Sequence, residues 1–246
     1  MPSTDRVAGG VRLWCVVPAA GRGARFGGGV PKQYLPLAGR PLLLRTLERL
    51  AAHADIAGLM IALAADDAHW PGISSLHDKP VSACIGGGER AESVLAGLHA
   101  LHDRVQKDHF VLVHDAARPC VRADDISRLI ELGLPAGGAL LAAPLRDTLK
   151  RADAQGHSVA TEPREARWRA LTPQLFRYGE LVAALEAAHA AGILATDEAM
   201  AMERAGHKPL LVEGAESNIK VTTPADMELA EFLLGRDSGF GIRDSI

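Results

Sequence analysis

Two cationic side chains, Arg25 and Lys32, stand in one glycine-rich stretch, Pro18-Ala19-Ala20-Gly21-Arg22-Gly23-Ala24-Arg25-Phe26-Gly27-Gly28-Gly29-Val30-Pro31-Lys32. Glycines let backbone N–H groups approach an anion, successive amides can form a nest, and the two cations add charge at the same place. The chemistry implied is phosphate binding, with Pro31 stiffening the approach to Lys32. Two further breaks carry reactive types: Gly86-Gly87-Gly88-Glu89-Arg90 and His114-Asp115-Ala116-Ala117-Arg118-Pro119.

Spacing narrows which phosphate chemistry this is. A Walker loop needs a Gly-Lys pair, and the chain has none. The dinucleotide fingerprint fails at its third position, where Phe26 follows Gly21-x-Gly23, and its acidic residue would be Glu48, inside a helix. Gly-x-Ser-x-Gly, His-Glu-x-x-His and EF-hand patterns are missing from the sequence.

The elements that must position these loops can be read from periodicity. The apolar run Val11 to Val17 reads as a strand feeding the glycine loop. Pro41 with Leu42, Leu43, Leu44, Leu47, Leu50 and Ala51 reads as a helix opened by proline. Gly58 to Ala65 is a doubly buried strand, Val81 to Ile85 another, Ala91 to His102 a helix, and Phe110 to Val113 a fourth strand. A helix over Asp124 to Leu134 has acidic residues at its start, and Ala139 to Leu145 is a fifth strand. The fold class expected is α/β, a Rossmann-like, mostly parallel sheet with helices on both faces, whose three loops meet at the carboxyl ends of the strands.

From Arg146 to Leu171 charged residues crowd in, and Thr148 to Lys150 and Ser158 to Thr161 alternate about Gly156, as in a projecting hairpin without a core of its own. Such an arm covers a partner subunit or a ligand site. Tyr178 to Ala191 and Thr196 to Ala205 follow as helices, Pro209 to Glu213 as a strand, and Ile219 to Val221 as a short extended piece. Thr223 and Pro224 then open a last helix as N-cap and first residue. The domain reading is a disordered leader over 1–10, one domain over 11–235 with the arm at about 146–171, and a loose tail over 236–246.

Composition sets outer bounds. The 246 residues are 48% hydrophobic and 23% charged, enough for one good core. A net charge of -3 and 4% aromatics argue against nucleic acid as a partner. No apolar run reaches the roughly 18 residues of a membrane span, and the short run after Arg12 contains Pro18, unlike a secretory signal. Cys15, Cys84 and Cys120 read as reduced thiols of a cytoplasmic protein.

Several motifs together resemble the 2-C-methyl-D-erythritol 4-phosphate cytidylyltransferase family. They are Pro18-Ala19-Ala20-Gly21 with Arg25 and Pro31-Lys32-Gln33-Tyr34-Leu35, Glu89-Arg90-Ala91-Glu92-Ser93-Val94, and Val113-His114-Asp115-Ala116-Ala117-Arg118-Pro119. Ala143-Pro144-Leu145-Arg146-Asp147-Thr148, Leu171-Thr172-Pro173-Gln174, Thr196-Asp197-Glu198-Ala199 and Asn218-Ile219-Lys220-Val221-Thr222 complete the set, in the family's order. The resemblance implies a CTP-dependent nucleotidyltransferase of isoprenoid precursor synthesis, in which a substrate phosphate oxygen attacks the α-phosphorus of CTP and pyrophosphate leaves. Its catalytic pair would be Arg25 and Lys32. Pro18, Ala19, Ala20, Gly21, Gly87, Gly88, Ser93, Asp115, Ala116 and Lys220 would bind CTP, with Gly87, Gly88 and Ser93 at the pyrimidine edge. Thr148, Arg164, Thr172, Thr196, Asp115 and Arg118 would bind methylerythritol phosphate, together with Lys220.

For Asp115 three alternatives stay open: substrate, ribose or metal contact. Mg²⁺ or another divalent cation is the cofactor implied, held by the CTP phosphates. Gly88 stands where relatives often carry an acidic residue. His114 reads as a packed strand residue rather than an acid or base, and Trp168 as packing at the arm. Thr148 and Arg164 belong to the arm, so the family pattern implies a homodimer with arm exchange. The competing acceptor is ribitol 5-phosphate, against which Ala117 and Arg146-Asp147-Thr148 speak. A non-catalytic nucleotide-binding scaffold would have no need of Arg25 and Lys32 together.

Overall fold

The computed structural model describes residues 12–21 and 29–237. Strand β1 (Leu13–Pro18) leads into the glycine loop, and a small hairpin of β2 (Pro36–Leu37) and β3 (Arg40–Pro41) precedes α1 (Leu42–Ala51). Then come β4 (Ile56–Leu63), β5 (Ser75–Leu76), β6 (Lys79–Ile85), α2 (Arg90–His99), β7 (Phe110–Val113), α3 (Ala123–Ala136) and β8 (Gly138–Pro144). The arm is β9 (Leu149–Ala152) with β10 (Ser158–Glu162); β11 (Trp168–Arg177), α4 (Tyr178–Ala190), α5 (Glu198–Arg204), β12 (Leu210–Glu213) and α6 (Pro224–Asp237) follow.

The main sheet has the order β12-β8-β11-β7-β1-β4-β6-β5. Pairing is parallel for β12 with β8, β7 with β1, β1 with β4 and β4 with β6, and antiparallel where β11 separates β7 from β8. Because β11 is opposed to both neighbours, β8 and β12 run the same way as β7, β1, β4 and β6. The loops leaving β1, β6, β7, β8 and β12 therefore gather at one edge of the sheet, where an α/β fold places its ligand.

Alternation along β1 explains the two layers. Cys15 and Val17 face a core shared with Leu43, Leu47 and Leu50 of α1 and Ile126, Leu129 and Ile130 of α3. Val16 points the other way, into Val94 and Leu98 of α2 and Leu181 and Leu185 of α4. A third cluster seats α6 against Leu37, Leu42, Ala117, Cys120 and Val221, so the last helix clamps the β7 loop from behind.

The sequence reading places no strand between Leu171 and Tyr178, yet β11 crosses the sheet there, and the region expected to be arm through Leu171 overlaps it. Trp168, Arg169 and Ala170 already pair with Pro144, Ala143 and Ala142 of β8. Pro173 and the polar Thr172 and Gln174 mask the strand in the sequence. The fold accepts the proline because the pairing with β8 shifts register between Ala170 and Gln174. The hairpin itself is found, with antiparallel pairing from Ser158 opposite Ala152 to Glu162 opposite Leu149 and Gly156 at φ +88° in its turn. Ile219 to Val221 has no strand assignment. Helix α6 runs to Asp237, past the start of the expected tail; the rest of that tail and the expected leader lie outside the described residues. Thr223 caps α6 as expected, its Oγ1 accepting the Asp226 amide at 3.3 Å.

Candidate active site

At the carboxyl edge the loops line a half-open crevice, the kind of place where an α/β fold seats a small ligand. One wall is Pro18, Ala19, Ala20 and Gly21 with Lys32 and Gln33; a second is Gly87, Gly88, Glu89, Arg90 and Ser93; the floor is Asp115, Ala116 and Ala117, with Lys220 across from them. The walls are fixed by backbone rather than by bulk. The Ala19 amide donates to Ala62 at 2.8 Å, the Gln33 side-chain amide donates to the Ala19 carbonyl at 2.9 Å, and the Gly86 amide donates to Leu63 at 2.7 Å. Ser93 Oγ accepts the Gly87 amide at 3.2 Å and lies 3.1 Å from the Glu89 carbonyl, tying the glycine turn to the first turn of α2. Gly87 is required by packing: a Cβ there would stand 2.3 Å from Cβ of Glu92. Glu92 completes the capping box of α2 by accepting the Glu89 amide at 3.1 Å.

Asp115 organises the charges. Its Oδ1 accepts from Arg90 Nε at 2.9 Å, and its Oδ2 meets Lys220 Nζ at 3.0 Å and Arg118 Nε at 3.3 Å. Burial alone would raise the pKa of this carboxyl, but Arg90, Lys220 and Arg118 outweigh it and hold the group well below the ordinary carboxylate range. Arg90 in turn is forked onto Glu198 of α5, with Nη1 to Oε1 at 2.6 Å and Nη2 to Oε2 at 3.1 Å. Its own burial would favour losing charge, and Glu198 and Asp115 reverse that, raising its pKa. Arg118 Nη1 reaches the Asn218 carbonyl at 2.7 Å, which ties the β7 loop to the segment carrying Lys220. Lys32 Nζ donates to the Val221 carbonyl at 2.8 Å, and the Val221 amide donates to Ala117 at 2.8 Å.

Beneath this cluster lies a neutral relay. The Asp115 amide donates to Thr172 Oγ1 at 3.1 Å, Thr172 Oγ1 is 3.0 Å from His114 Nδ1, and His114 Nε2 is 3.0 Å from the Arg118 carbonyl. A carbonyl can only accept, so Nε2 carries the proton and Nδ1 accepts from the threonine hydroxyl. Burial pushes the His114 pKa down to about 4. The reading of His114 as a packed residue agrees with its complete burial.

The expected CTP-binding residues all line the one crevice together with Lys32. Arg25 lies outside the described residues. Arg118 and Thr172 sit behind Asp115, buried, with their polar groups turned to it. Thr196 is exposed just before α5, and Thr148 and Arg164 are exposed on or beside the arm, where Arg164 donates to the Arg146 carbonyl. No group of three or more His, Cys, Asp or Glu side chains suited to a metal occurs among the described residues. Asp115, the candidate ligand, does not fit that part either, since cations already hold both of its oxygens. Sequence reasoning left Arg90 and Glu198 without site roles, although both lie in motifs it singled out; 108 positions separate them, and only their pairing shows what they do.

Comparison with known proteins gives the family. The sequence model described as 2-C-methyl-D-erythritol 4-phosphate cytidylyltransferase matches residues 13–236. The chain belongs to this family. A relative of that name from Xanthomonas campestris pv. campestris (strain 8004) is 60% identical over 235 residues, covering 95% of this chain and 89% of its own length. Among solved structures, the family member from Francisella tularensis superposes with a TM-score of 0.78 at 34% identity, over 91% of this chain and 99% of that one. A structure titled 4-diphosphocytidyl-2C-methyl-D-erythritol synthase gives 0.79 at 33% identity, with the same coverage.

The relay predicts a pH signature. His114 binds a proton more weakly when folded (about 4) than when unfolded (about 6.5), so the unfolded state takes up more protons between these values. Its contribution, on the order of 3 kcal/mol, is fully present above pH 6.5 and is lost as pH falls toward 4. In urea unfolding, the stability gap between wild type and His114→Gln is expected to shrink across that window; a gap independent of pH would contradict the neutral relay.

Proposed function

We propose that this enzyme transfers the cytidylyl group of CTP to 2-C-methyl-D-erythritol 4-phosphate, releasing pyrophosphate, in isoprenoid precursor synthesis. The observation that carries the reading is the meeting, in one crevice, of a glycine-lined wall able to read a base through backbone groups with the cations Lys32, Arg90 and Lys220, which suit a triphosphate.

An oxygen of the acceptor's phosphate forms a bond to the α-phosphorus as the bond from that phosphorus to the bridging oxygen breaks, and pyrophosphate leaves with the electron pair. A phosphate monoester has its second pKa near about 6, so the nucleophile is already ionised at neutral pH and needs no strong base. Catalysis then rests on alignment and on charge. Lys32, steadied by the Val221 carbonyl, and Arg25 of the glycine loop would stabilise the crowded α-phosphate. Backbone groups of Gly87 and Gly88, with Ser93 bracing the turn, would distinguish cytosine. Asp115 would face the ribose or acceptor while ordering its cations. Arg118 and Thr172 would support it from behind, and Thr148, Arg164 and Thr196 would complete the acceptor side. Mg²⁺ would arrive with the nucleotide, on the phosphate oxygens, where it neutralises their charge.

The arm supports a second part of the proposal, a homodimer in which Thr148 and Arg164 serve the neighbouring subunit's site. Leu149 and Val159 are exposed on the β9–β10 hairpin, and Trp168 is exposed beside it at the start of β11. The buried thiol of Cys15 suits a reducing cytoplasm, and no helix among the described residues is long and apolar enough to cross a membrane.

A coupled pyrophosphate assay with CTP and Mg²⁺ tests the reaction. Turnover is expected with methylerythritol phosphate, and Lys32→Ala is expected to lower kcat by about 10²–10³-fold, the scale of losing one preorganised charge-stabilising group. Pyrophosphate release with ribitol 5-phosphate alone would overturn the acceptor, and an unchanged kcat in Lys32→Ala would overturn the mechanism. For the arm, mixed dimers of Lys32→Ala and Arg164→Ala chains are expected to recover part of the activity each homodimer lacks. No recovery in verified heterodimers would refute exchange across subunits.

A further inference from the structure

Glu198 belongs to none of the loops that line the crevice, yet its carboxylate is almost wholly enclosed, 1% exposed, and both oxygens are given to Arg90. Fork-to-fork pairing of this kind fixes the plane of a guanidinium as well as its place. The segment holding Glu198 is itself fastened to the sheet: the Ala199 amide donates to Gln174 Oε1 at 2.8 Å, and Gln174 Nε2 donates to Asp197 at 3.0 Å. In the orientation that this pairing fixes, Arg90 meets Asp115 through Nε, on a single oxygen. The second oxygen is left to Lys220 and Arg118.

We propose that Glu198 is a positioning residue for nucleotide binding: by fixing the plane and place of the Arg90 guanidinium it keeps that arginine on one oxygen of Asp115, and so keeps Lys220 seated on the other at the edge of the crevice. A guanidinium released from Glu198 would turn its two parallel donors onto Asp115, the stronger geometry, and compete with the Lys220 ammonium for the same oxygen. Lys220 is 40% exposed in its side chain, so once displaced it would turn to solvent. Glutamine at 198 would accept only one of the two bonds and set its amide donors against those of Arg90. Aspartate would keep the charge and lose one methylene of reach. The inference rests on the reading of the crevice as a CTP site.

The test is calorimetric titration of the full chain with CTP and Mg²⁺. Glu198→Gln is expected to weaken the CTP Kd by about tenfold, the lower end of what losing a supporting partner costs a site, with the number of sites per chain unchanged. Glu198→Asp is expected to recover most of the loss. A role in folding alone would instead reduce the bound fraction and leave the Kd of the remaining chains at the wild-type value, and that result would overturn the proposal. Arg90→Gln combined with Glu198→Gln leaves neither partner of that pair as an unpaired buried charge and guards against a failure to fold; with the competing guanidinium gone Lys220 keeps its seat, so this variant is expected to bind CTP more tightly than Glu198→Gln, and affinity no better than that of Glu198→Gln would count against the proposal. Wild-type chains that bind no CTP would sink the CTP reading and this inference with it, whereas tight binding by both wild type and Glu198→Gln would sink only the role of Glu198.

Discussion

Asp115 is a buried carboxylate held by three cations, and much of the crevice follows from how that charge is satisfied. A lone carboxylate at this depth would cost several kcal/mol in lost hydration and would take up a proton. Here Arg90, Arg118 and Lys220 arrive from three separate segments, so the ion cluster joins α2, the β7 loop and the chain between β12 and α6 in one place. Glu198 balances part of the positive charge. What remains is a cationic rim with Lys32 beside it, on a floor that needs no metal to stay together. An enzyme that handles a triphosphate gains from such a rim because its charges are in place before the ligand arrives.

The backbone makes this clustering possible. Six strands run in one direction, and the single long opposed strand, β11, reverses the chain twice without disturbing the shared edge. Through Thr172 it delivers the hydroxyl that carries the Asp115 amide and fixes the His114 tautomer. Helix α6 holds the other side, packing on Ala117 and Val221, the two residues whose backbone hydrogen bond locks the Lys220 segment against the floor.

Much of this was legible in the sequence because it is local. Runs such as Phe110 to Val113 report a strand buried on both faces, and the glycine stretches interrupt them where ligands bind. The resemblance supplied which residues share the crevice, and Pro18 to Gly21, Lys32, Gly87, Gly88, Ser93, Asp115, Ala116 and Lys220 do line it. Strand β11 stayed hidden because Pro173, Thr172 and Gln174 break both the apolar run and the strand rule, and a register shift that no local pattern encodes makes room for them. Arg90 and Glu198 stand at the starts of two helices far apart in the chain, α2 and α5. Their bond exists only because α2 and α5 meet above the same face of the sheet, and long-range ion pairs leave no periodic trace. Arg118 and Thr172 were expected on the substrate side, Arg118 also as a partner that holds Asp115, and both touch Asp115 from behind; the distinction between touching a ligand and holding the residue that touches it is purely three-dimensional.

The most direct measurement is the steady-state kinetics of Asp115→Asn, which keeps the shape of the side chain and removes the charge that gathers Arg90, Arg118 and Lys220. Near-ultraviolet circular dichroism would confirm native packing. The account predicts a folded enzyme whose kcat/KM for CTP falls by at least about 10²-fold, as expected when a preorganised set of charges is lost. A folded Asp115→Asn enzyme with wild-type kcat/KM would contradict it.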